Sequence, residues 1–230
     1  MKLVLIRHGQ SVWNAKNLFT GWIDVELSEK GKAEAKKAGE LLKEANIYPN
    51  ICYTSYLKRA IHTAQIALNE LGWEHIDVIR SWKLNERHYG DWQGKNKEEV
   101  KAKYGEELFM AVRRGYDTPP PPIEESEPDY AKRYPLDPKY EDIGYHPKSE
   151  SLKDTRERVV EYFYEEIVPA LLAYDTVMIA AHGNSLRALI MYLESIAPEN
   201  VSKIEIPTGT PIVYDLTKEL VIYNKTTYNH

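Results

Sequence analysis

The chain has 230 residues, 43% hydrophobic and 28% charged, an ordinary balance for a globular protein able to bury a full core. Its formal net charge of −5 argues against a nucleic-acid binder that works by whole-surface charge, while leaving room for a local basic pocket. The single cysteine, Cys52, excludes an internal disulfide framework and a CxxC zinc pattern, and no apolar run approaches membrane-spanning length, so no membrane partner is expected.

Met1-Lys2 leads straight into an apolar run, Leu3-Val4-Leu5-Ile6, stopped by Arg7-His8-Gly9. That end shows no h-region and no small-residue cleavage site, so a signal peptide is not expected and the chain reads as cytoplasmic. A polar, aromatic-containing loop follows over residues 10–27. Ser28 is placed as the N-cap of a helix with Ala35, Ala38, Leu41, Leu42 and Ala45 on one face. Ile51–Thr54 reads as a short strand, residues 56–71 as a helix with Ile61, Ala64, Leu68 and Leu71 aligned, and residues 76–79 as a third strand. Helical patterns return over Lys97–Tyr104 and residues 106–113.

Residues 116–149 hold Pro119, Pro120, Pro121, Pro122, Pro128, Pro135, Pro138 and Pro147, a density that forbids a long helix or a central strand. Tyrosines and charged residues interleave with the prolines, which favours an ordered excursion near a site over a solvated linker. Residues 152–174 form a long amphipathic pattern expected to bend at Pro169. A strand follows at 176–181, then a helix from about Ser185 to Ser195, and residues 211–216 and 220–223 look like a closing strand pair. The order β-α-β-α-β, excursion, α-β-α-β predicts a three-layer α/β/α sandwich with a mostly parallel central sheet. One domain over 1–230 is expected, with the proline-rich excursion at about 116–149.

One arrangement arrives twice. Leu3-Val4-Leu5-Ile6-Arg7-His8-Gly9 is matched downstream by Val177-Met178-Ile179-Ala180-Ala181-His182-Gly183. Both read as buried parallel strands, and ligands of open α/β sheets sit beyond the carboxyl ends of such strands, where both imidazoles would emerge. Arg7 and Arg59, the latter in the first turn of a helix, are suited to bidentate anion binding, and Asn184 and Ser185 can present further donors. No third ligand completes a metal site at recognisable spacing, and the G-x-S-x-G elbow of a serine hydrolase is absent. A neutral imidazole attacking a phosphoryl group needs no metal where arginines stabilise the charge. Leu84-Asn85-Glu86-Arg87-His88-Tyr89-Gly90 offers Glu86 as proton donor to the leaving oxygen; a salt bridge to Arg87 is an equally open use of it. His62 reads as structural, His75 and His146 as surface residues. Trp13, Trp22, Trp82 and Trp92 fall near these loops, as candidate pocket walls, and Trp73 as packing.

Longer stretches carry a resemblance. Arg7-His8-Gly9-Gln10-Ser11-x-x-Asn14, Phe19-Thr20-Gly21-Trp22, Leu57-Lys58-Arg59-Ala60-Ile61-His62-Thr63, the 84–90 stretch and His182-Gly183-Asn184-Ser185-Leu186-Arg187 resemble the cofactor-dependent phosphoglycerate mutases of the histidine phosphatase superfamily. Arg113-Arg114-Gly115, the Pro119 to Pro122 run and Ile206-Pro207-Thr208-Gly209-Thr210-Pro211 extend the match in order along nearly the whole chain. The resemblance implies a glycolytic and gluconeogenic interconversion of 3-phosphoglycerate and 2-phosphoglycerate. His8 would carry the phosphoryl group, 2,3-bisphosphoglycerate would be the priming cofactor and the intermediate, and no metal would be needed. Glu86 would be the general acid/base, and Arg7, Arg59 and His182 would hold the transferred group, with Asn14, Gly183 and Asn184 adding donors. Thr20, Gly21, Arg87, Tyr89, Lys97, Arg113 and Arg114 would bind the remaining substrate anions, with Ser11 and His88 of the same motifs also at the substrate site. The family forms dimers and tetramers, so a homodimer or homotetramer is expected.

Two departures stand out: Gln10 where many relatives carry Glu, and a chain ending soon after Tyr223, which leaves little of the family's mobile C-terminal tail. The alternatives are a phosphohistidine-type phosphatase or a bisphosphoglycerate mutase/phosphatase, in which water or another acceptor takes the group. From a different class, a non-catalytic regulatory member of the superfamily would usually lack the nucleophile, and here His8, Glu86 and His182 are all present.

Overall fold

Alternation along two apolar strands builds the layers. In β1 (Lys2–Arg7), Leu3 and Leu5 face one side while Val4 and Ile6 face the other, and β4 (Thr176–Ala181) splits Val177, Ile179 and Ala181 from Met178 and Ala180 in the same way. The structure is a computed structural model describing residues 1–133 and 137–229; Pro135 lies outside them. Its remaining strands are β2 (Ile51–Thr54), β3 (Asp77–Arg80), β5 (Ile212–Leu216) and β6 (Ile222–Thr227), arranged β3-β2-β4-β1-β5-β6. The first four in that order are mutually parallel, and β5 and β6 close one side antiparallel, so the mostly parallel sheet is as expected.

One face of the sheet buries Ala38 and Leu42 of α2 (Glu29–Glu44) and Ala64, Leu68 and Leu71 of α3 (Lys58–Leu71). The other buries Val159 and Tyr162 of α7 (Leu152–Tyr162) and Leu186, Leu189 and Ile190 of α9 (Gly183–Leu193). Each such Leu or Ile contributes roughly 1.5–3 kcal/mol by leaving water. A third apolar cluster joins Phe19, Tyr89 and Trp92 to Val100 of α4 (Lys97–Tyr104) and to Phe109 and Val112 of α5 (Glu106–Arg114), holding this helix pair over the loops at the sheet's carboxyl end. No helix among the described residues is long and apolar enough to cross a membrane.

Local differences from the sequence reading have physical causes. A short helix, α1 (Val12–Ala15), starts inside the expected 10–27 loop because Ser11 and Asn14 cap each other reciprocally. The 152–174 helix does not simply bend at Pro169. It ends α7 at Tyr162, passes through a π-helical turn at Phe163–Ile167 and resumes as α8 (Val168–Tyr174). Pro169 has no N–H to donate to the preceding turn, and the wider turn absorbs the lost bond. α9 begins two residues earlier than expected, at Gly183, because the Ser185 hydroxyl accepts the His182 N–H at 3.1 Å.

The excursion is ordered where described. The Pro121 carbonyl accepts the Asp91 N–H at 2.8 Å, Ile123 and Tyr140 are buried, and Tyr140 lies 5.0 Å from the Trp22 ring. Tyr145 stacks on Trp82, and Lys139 pairs with Asp24 at 2.8 Å. The short helix α6 (Tyr130–Arg133) lies within it.

Candidate active site

The β1–β4 register pairs Arg7 with Ala181, so the next residue of each strand, His8 and His182, leaves the sheet side by side. Their rings meet edge to face, centroids 4.9 Å apart and planes at 66°. His8 is buried, and its Nδ1 lies 2.6 Å from the Gly9 carbonyl. A carbonyl can only accept, so Nδ1 carries the proton and Nε2 keeps its lone pair. Nε2 faces the Arg59 Nε at 3.4 Å. Burial, then the charges of Arg59 and Arg7, hold the His8 pKa well below its ordinary value, which keeps the ring neutral. The same burial, with Arg59 first among the charges, lowers His182, whose Nε2 lies 2.8 Å from the Ser55 hydroxyl.

Arg59 is anchored by carbonyls rather than by a carboxylate. Its Nη1 donates to Ile23 at 2.9 Å and its Nη2 to Gly21 at 2.7 Å, and burial pushes its pKa down to about 10. Gly21 itself has φ +57°, and a Cβ there would run into the Gln93 side-chain oxygen, so the turn that presents its carbonyl requires glycine. Arg7 donates from Nη1 to Ile206 at 3.0 Å, while its Nε is buried with no protein partner beside Gly183.

Glu86 is held from two sides. Its Oε1 accepts the N–H groups of Arg87 at 2.8 Å and Asn184 at 3.1 Å; no salt bridge joins it to Arg87 among the described residues. Its carbonyl accepts from the Trp22 indole at 2.6 Å and Arg158 at 2.8 Å. Arg158 in turn makes a bidentate pair with buried Glu150, 2.9 Å at each contact, and also binds the Lys83 and Asn85 carbonyls. A wholly buried ion pair therefore fixes the segment that carries Glu86.

These groups open on a cavity of about 210 Å³. Of the expected residues, Arg7, His8, Asn14, Thr20, Gly21, Arg59, Glu86, Tyr89, Lys97, Arg113, Arg114, Gly183 and Asn184 line it. Four do not. His182 backs His8. Ser11 is spent capping α1, its hydroxyl accepting the Asn14 N–H at 3.0 Å. Arg87 turns away, donating to the Val112 carbonyl at 2.6 Å with its guanidinium over the Tyr89 ring. His88 is buried against Trp22 and accepts the Gly90 N–H at Nδ1; burial lowers its pKa to about 4. None of Trp13, Trp22, Trp82 and Trp92 lines the cavity: the aromatic wall is Phe19 and Tyr89, with Trp92 behind Phe19 and Trp22 behind Glu86, while Trp82 stacks on Tyr145. Nor do described residues of the excursion line the cavity; they brace its outer loops. His75 is exposed, as read from the sequence, and sits edge to face with Trp73 at 4.4 Å.

Sequence reading passed over Ser55, Arg158 and Arg187. Arg187 lines the cavity and donates to the Asn184 amide oxygen at 2.9 Å. Its i, i+3 spacing from Asn184 on a helix was the available signal. The other wall cations form one group: burial and the charges of Arg113 and Arg7 push Lys97 down to about 8, and Arg113 is lowered by burial. Among the described residues, none of Arg7, Arg59, Lys97, Arg113, Arg114 and Arg187 forms an ion pair with a carboxylate. A cavity this cationic is built for an anion with more than one charged group.

The sequence matches the histidine phosphatase superfamily (branch 1) over residues 3–136 and 134–223. It is 53% identical over 223 residues to the 2,3-bisphosphoglycerate-dependent phosphoglycerate mutase of Corynebacterium diphtheriae, covering 97% of this chain and 89% of that protein. It is 54% identical over 222 residues to phosphoglycerate mutase 1 of Saccharomyces cerevisiae, covering 95% and 88%. In fold it is similar to a mycobacterial glucosyl-3-phosphoglycerate phosphatase, TM-score 0.70 at 23% identity over 100% and 98% of the two chains. The alpha-ribazole phosphatase of Shigella flexneri has TM-score 0.70 at 21% identity over 95% and 92%. With two strand-end histidines meeting in a cationic cavity and a relative more than half identical over nearly its whole length, the chain belongs to the histidine phosphatase superfamily, within its 2,3-bisphosphoglycerate-dependent phosphoglycerate mutase family.

Proposed function

We propose that this chain interconverts 3-phosphoglycerate and 2-phosphoglycerate by way of a phosphohistidine enzyme, in the cytoplasm and as a homodimer or homotetramer. The observation that carries this reading is the second set of cations, Lys97, Arg113 and Arg114, in the same cavity as His8. A simple monophosphatase has little use for them, whereas a mutase must grip the substrate's second anionic group while the first reacts.

In this mechanism the neutral His8 Nε2 lone pair forms the bond to phosphorus as the bond to the substrate oxygen breaks. Arg7, Arg59 and His182 stabilise the charge on the equatorial oxygens, each charge-assisted hydrogen bond contributing about 1.5–3 kcal/mol. Glu86 gives a proton to the leaving oxygen and takes one from the hydroxyl that attacks the phosphohistidine on the return. Asn14, Thr20, Gly183 and Asn184 supply neutral donors around the substrate, and Tyr89 forms a wall. 2,3-Bisphosphoglycerate supplies, when bound, the phosphoryl group that primes His8. The residues present suit it: Arg7 offers a buried Nε with no protein partner, and Glu86 is the one carboxylate among the described lining residues, with no ion pair to any of the cavity's cations.

The test is a 3- to 2-phosphoglycerate assay with and without 2,3-bisphosphoglycerate, in the presence of a chelator. Isomerisation stimulated by the bisphosphate and indifferent to the chelator is expected. Phosphate release without isomerisation would assign the chain to the phosphatases, and no turnover of either kind to the regulatory members.

A further inference from the structure

We propose that Arg187 is a specificity residue that binds the carboxylate of the phosphoglycerate, so that the site distinguishes phosphorylated carboxylic acids from other phosphate esters. The inference rests on the mutase reading above and adds to it a role for the last residue of the 182–187 motif, to which the resemblance assigned none.

Arg187 lies one turn into α9 and lines the cavity. Its Nη1 is fixed by the Asn184 amide oxygen at 2.9 Å, and the Asn184 amide nitrogen is fixed in turn by the Tyr89 hydroxyl at 3.0 Å. Asn184 also donates its N–H to Glu86. The guanidinium is thus oriented by a neutral chain that ends on the proton-transfer residue. Its Nε is buried with no protein partner. An arginine edge held rigid, desolvated and unused by the protein is a donor reserved for a ligand.

Its position says which ligand group. Arg187 lines the same cavity as Arg7, beside His8, and Arg114, in the second cation set. A phosphate reacting at His8 is already served by Arg7 and Arg59, and a distal phosphate by Lys97, Arg113 and Arg114. 2,3-Bisphosphoglycerate carries a third anion besides its C2 and C3 phosphates, the planar C1 carboxylate that the monophosphates share, and a guanidinium edge matches two coplanar oxygens better than a point charge does. Asn184, which Arg187 orients, links carboxylate binding to the placement of Glu86.

The experiment measures binding of 3-phosphoglycerate, glycerol 3-phosphate and inorganic phosphate by calorimetry to the wild-type chain, Arg187→Gln and Arg187→Lys. Gln keeps a donor for the Asn184 oxygen, and thermal melts of each variant run alongside. Arg187→Gln should weaken 3-phosphoglycerate at least tenfold while leaving glycerol 3-phosphate and phosphate within about twofold, and Arg187→Lys should recover only part of the loss. Equal weakening of all three ligands would make Arg187 structural, and no weakening of any would leave it a bystander; either result overturns the inference. If wild type isomerises 3-phosphoglycerate normally, the fault lies with the inference alone. A wild-type chain that neither isomerises nor binds 3-phosphoglycerate would overturn both readings.

Discussion

His8 Nδ1 lies 2.6 Å from the carbonyl of its own neighbour, Gly9, and this one contact decides which nitrogen of the ring reacts. With the proton held on Nδ1, the nucleophile is Nε2, beside Arg59. Incubation with 2,3-bisphosphoglycerate should therefore add one acid-labile, alkali-stable phosphoryl group, on Nε2 rather than Nδ1, as read by phosphorus NMR. His8→Ala should take no label. His182→Gln should still accept it, at a rate lower by about 10²–10³, the cost typical of removing one preorganised stabilising group. Label on Nδ1, or on the His8→Ala protein, would refute the assignment.

Three buried histidines make the fold sensitive to mild acid. His88 titrates at about 4, and His8 and His182 lie well below their ordinary value, each lowered chiefly by burial. Below about pH 6.5 the unfolded chain takes up protons that the folded chain refuses, so stability falls with pH through this window and levels off below the folded values. For His88 alone the gap from about 6.5 to about 4 corresponds to roughly 3 kcal/mol. The acidic groups act lower: Glu150 and Asp215 are held below their ordinary values, and their contribution is lost only as pH falls through those depressed values. Urea midpoints should drop between pH 6.5 and 4 in wild type, and the slope should be shallower in His88→Gln. Parallel slopes would show that His88 is protonated in the fold.

Much of this was legible because it follows from short-range pattern. The apolar run Leu3-Val4-Leu5-Ile6, stopped by Arg-His-Gly, and the matching downstream run placed two histidines at strand ends, and Ser28 does cap α2, accepting the Gly31 N–H at 3.1 Å. What was not legible depended on where consecutive side chains turn. Glu86, Arg87 and His88 are adjacent in the motif, yet Glu86 enters the cavity while Arg87 reaches for Val112 and His88 for the Trp22 face. Outside a helix or strand no periodicity tells these directions apart. Arg158 and Glu150 were invisible for another reason. Their pairing supports Glu86 from 64 and 72 residues away in sequence, and local spacing carries no such information.

Lys97 gives the cavity an alkaline limit. Burial, then Arg113 and Arg7, bring it down to about 8, so it loses its charge as pH rises through that value. In wild type, kcat/KM for 3-phosphoglycerate, which reports the free enzyme, should fall above about pH 8. Removing the strongest repelling charge with Arg113→Leu should lower kcat/KM throughout and move the alkaline fall to higher pH. Lys97→Arg, charged across the whole range, should abolish the fall. An alkaline limb that stays in place in both variants would assign it to another group.

The same cations should set the balance between isomerisation and hydrolysis. Arg113 and Arg114 end α5, which the Phe19, Tyr89 and Trp92 cluster holds against the cavity, so they stand on a braced wall rather than on a free loop. A bisphosphorylated intermediate that must turn around between its two transfers is retained by whatever grips its distal end. If it escapes, His8 is left unprimed or its phosphoryl group is exposed to water. Replacing both arginines with Ala removes two charge-assisted contacts and should weaken phosphoglycerate binding by about 3–6 kcal/mol if both are made in full. It should also raise the ratio of phosphate released to substrate isomerised, since gripping the distal group does nothing for attack by water on phosphohistidine. The reaction at His8 itself should survive, with labelling by the bisphosphate slower but still complete. A double variant with unchanged KM and an unchanged release ratio would mean that these side chains face solvent during turnover, and that the second anion is held by Lys97 alone.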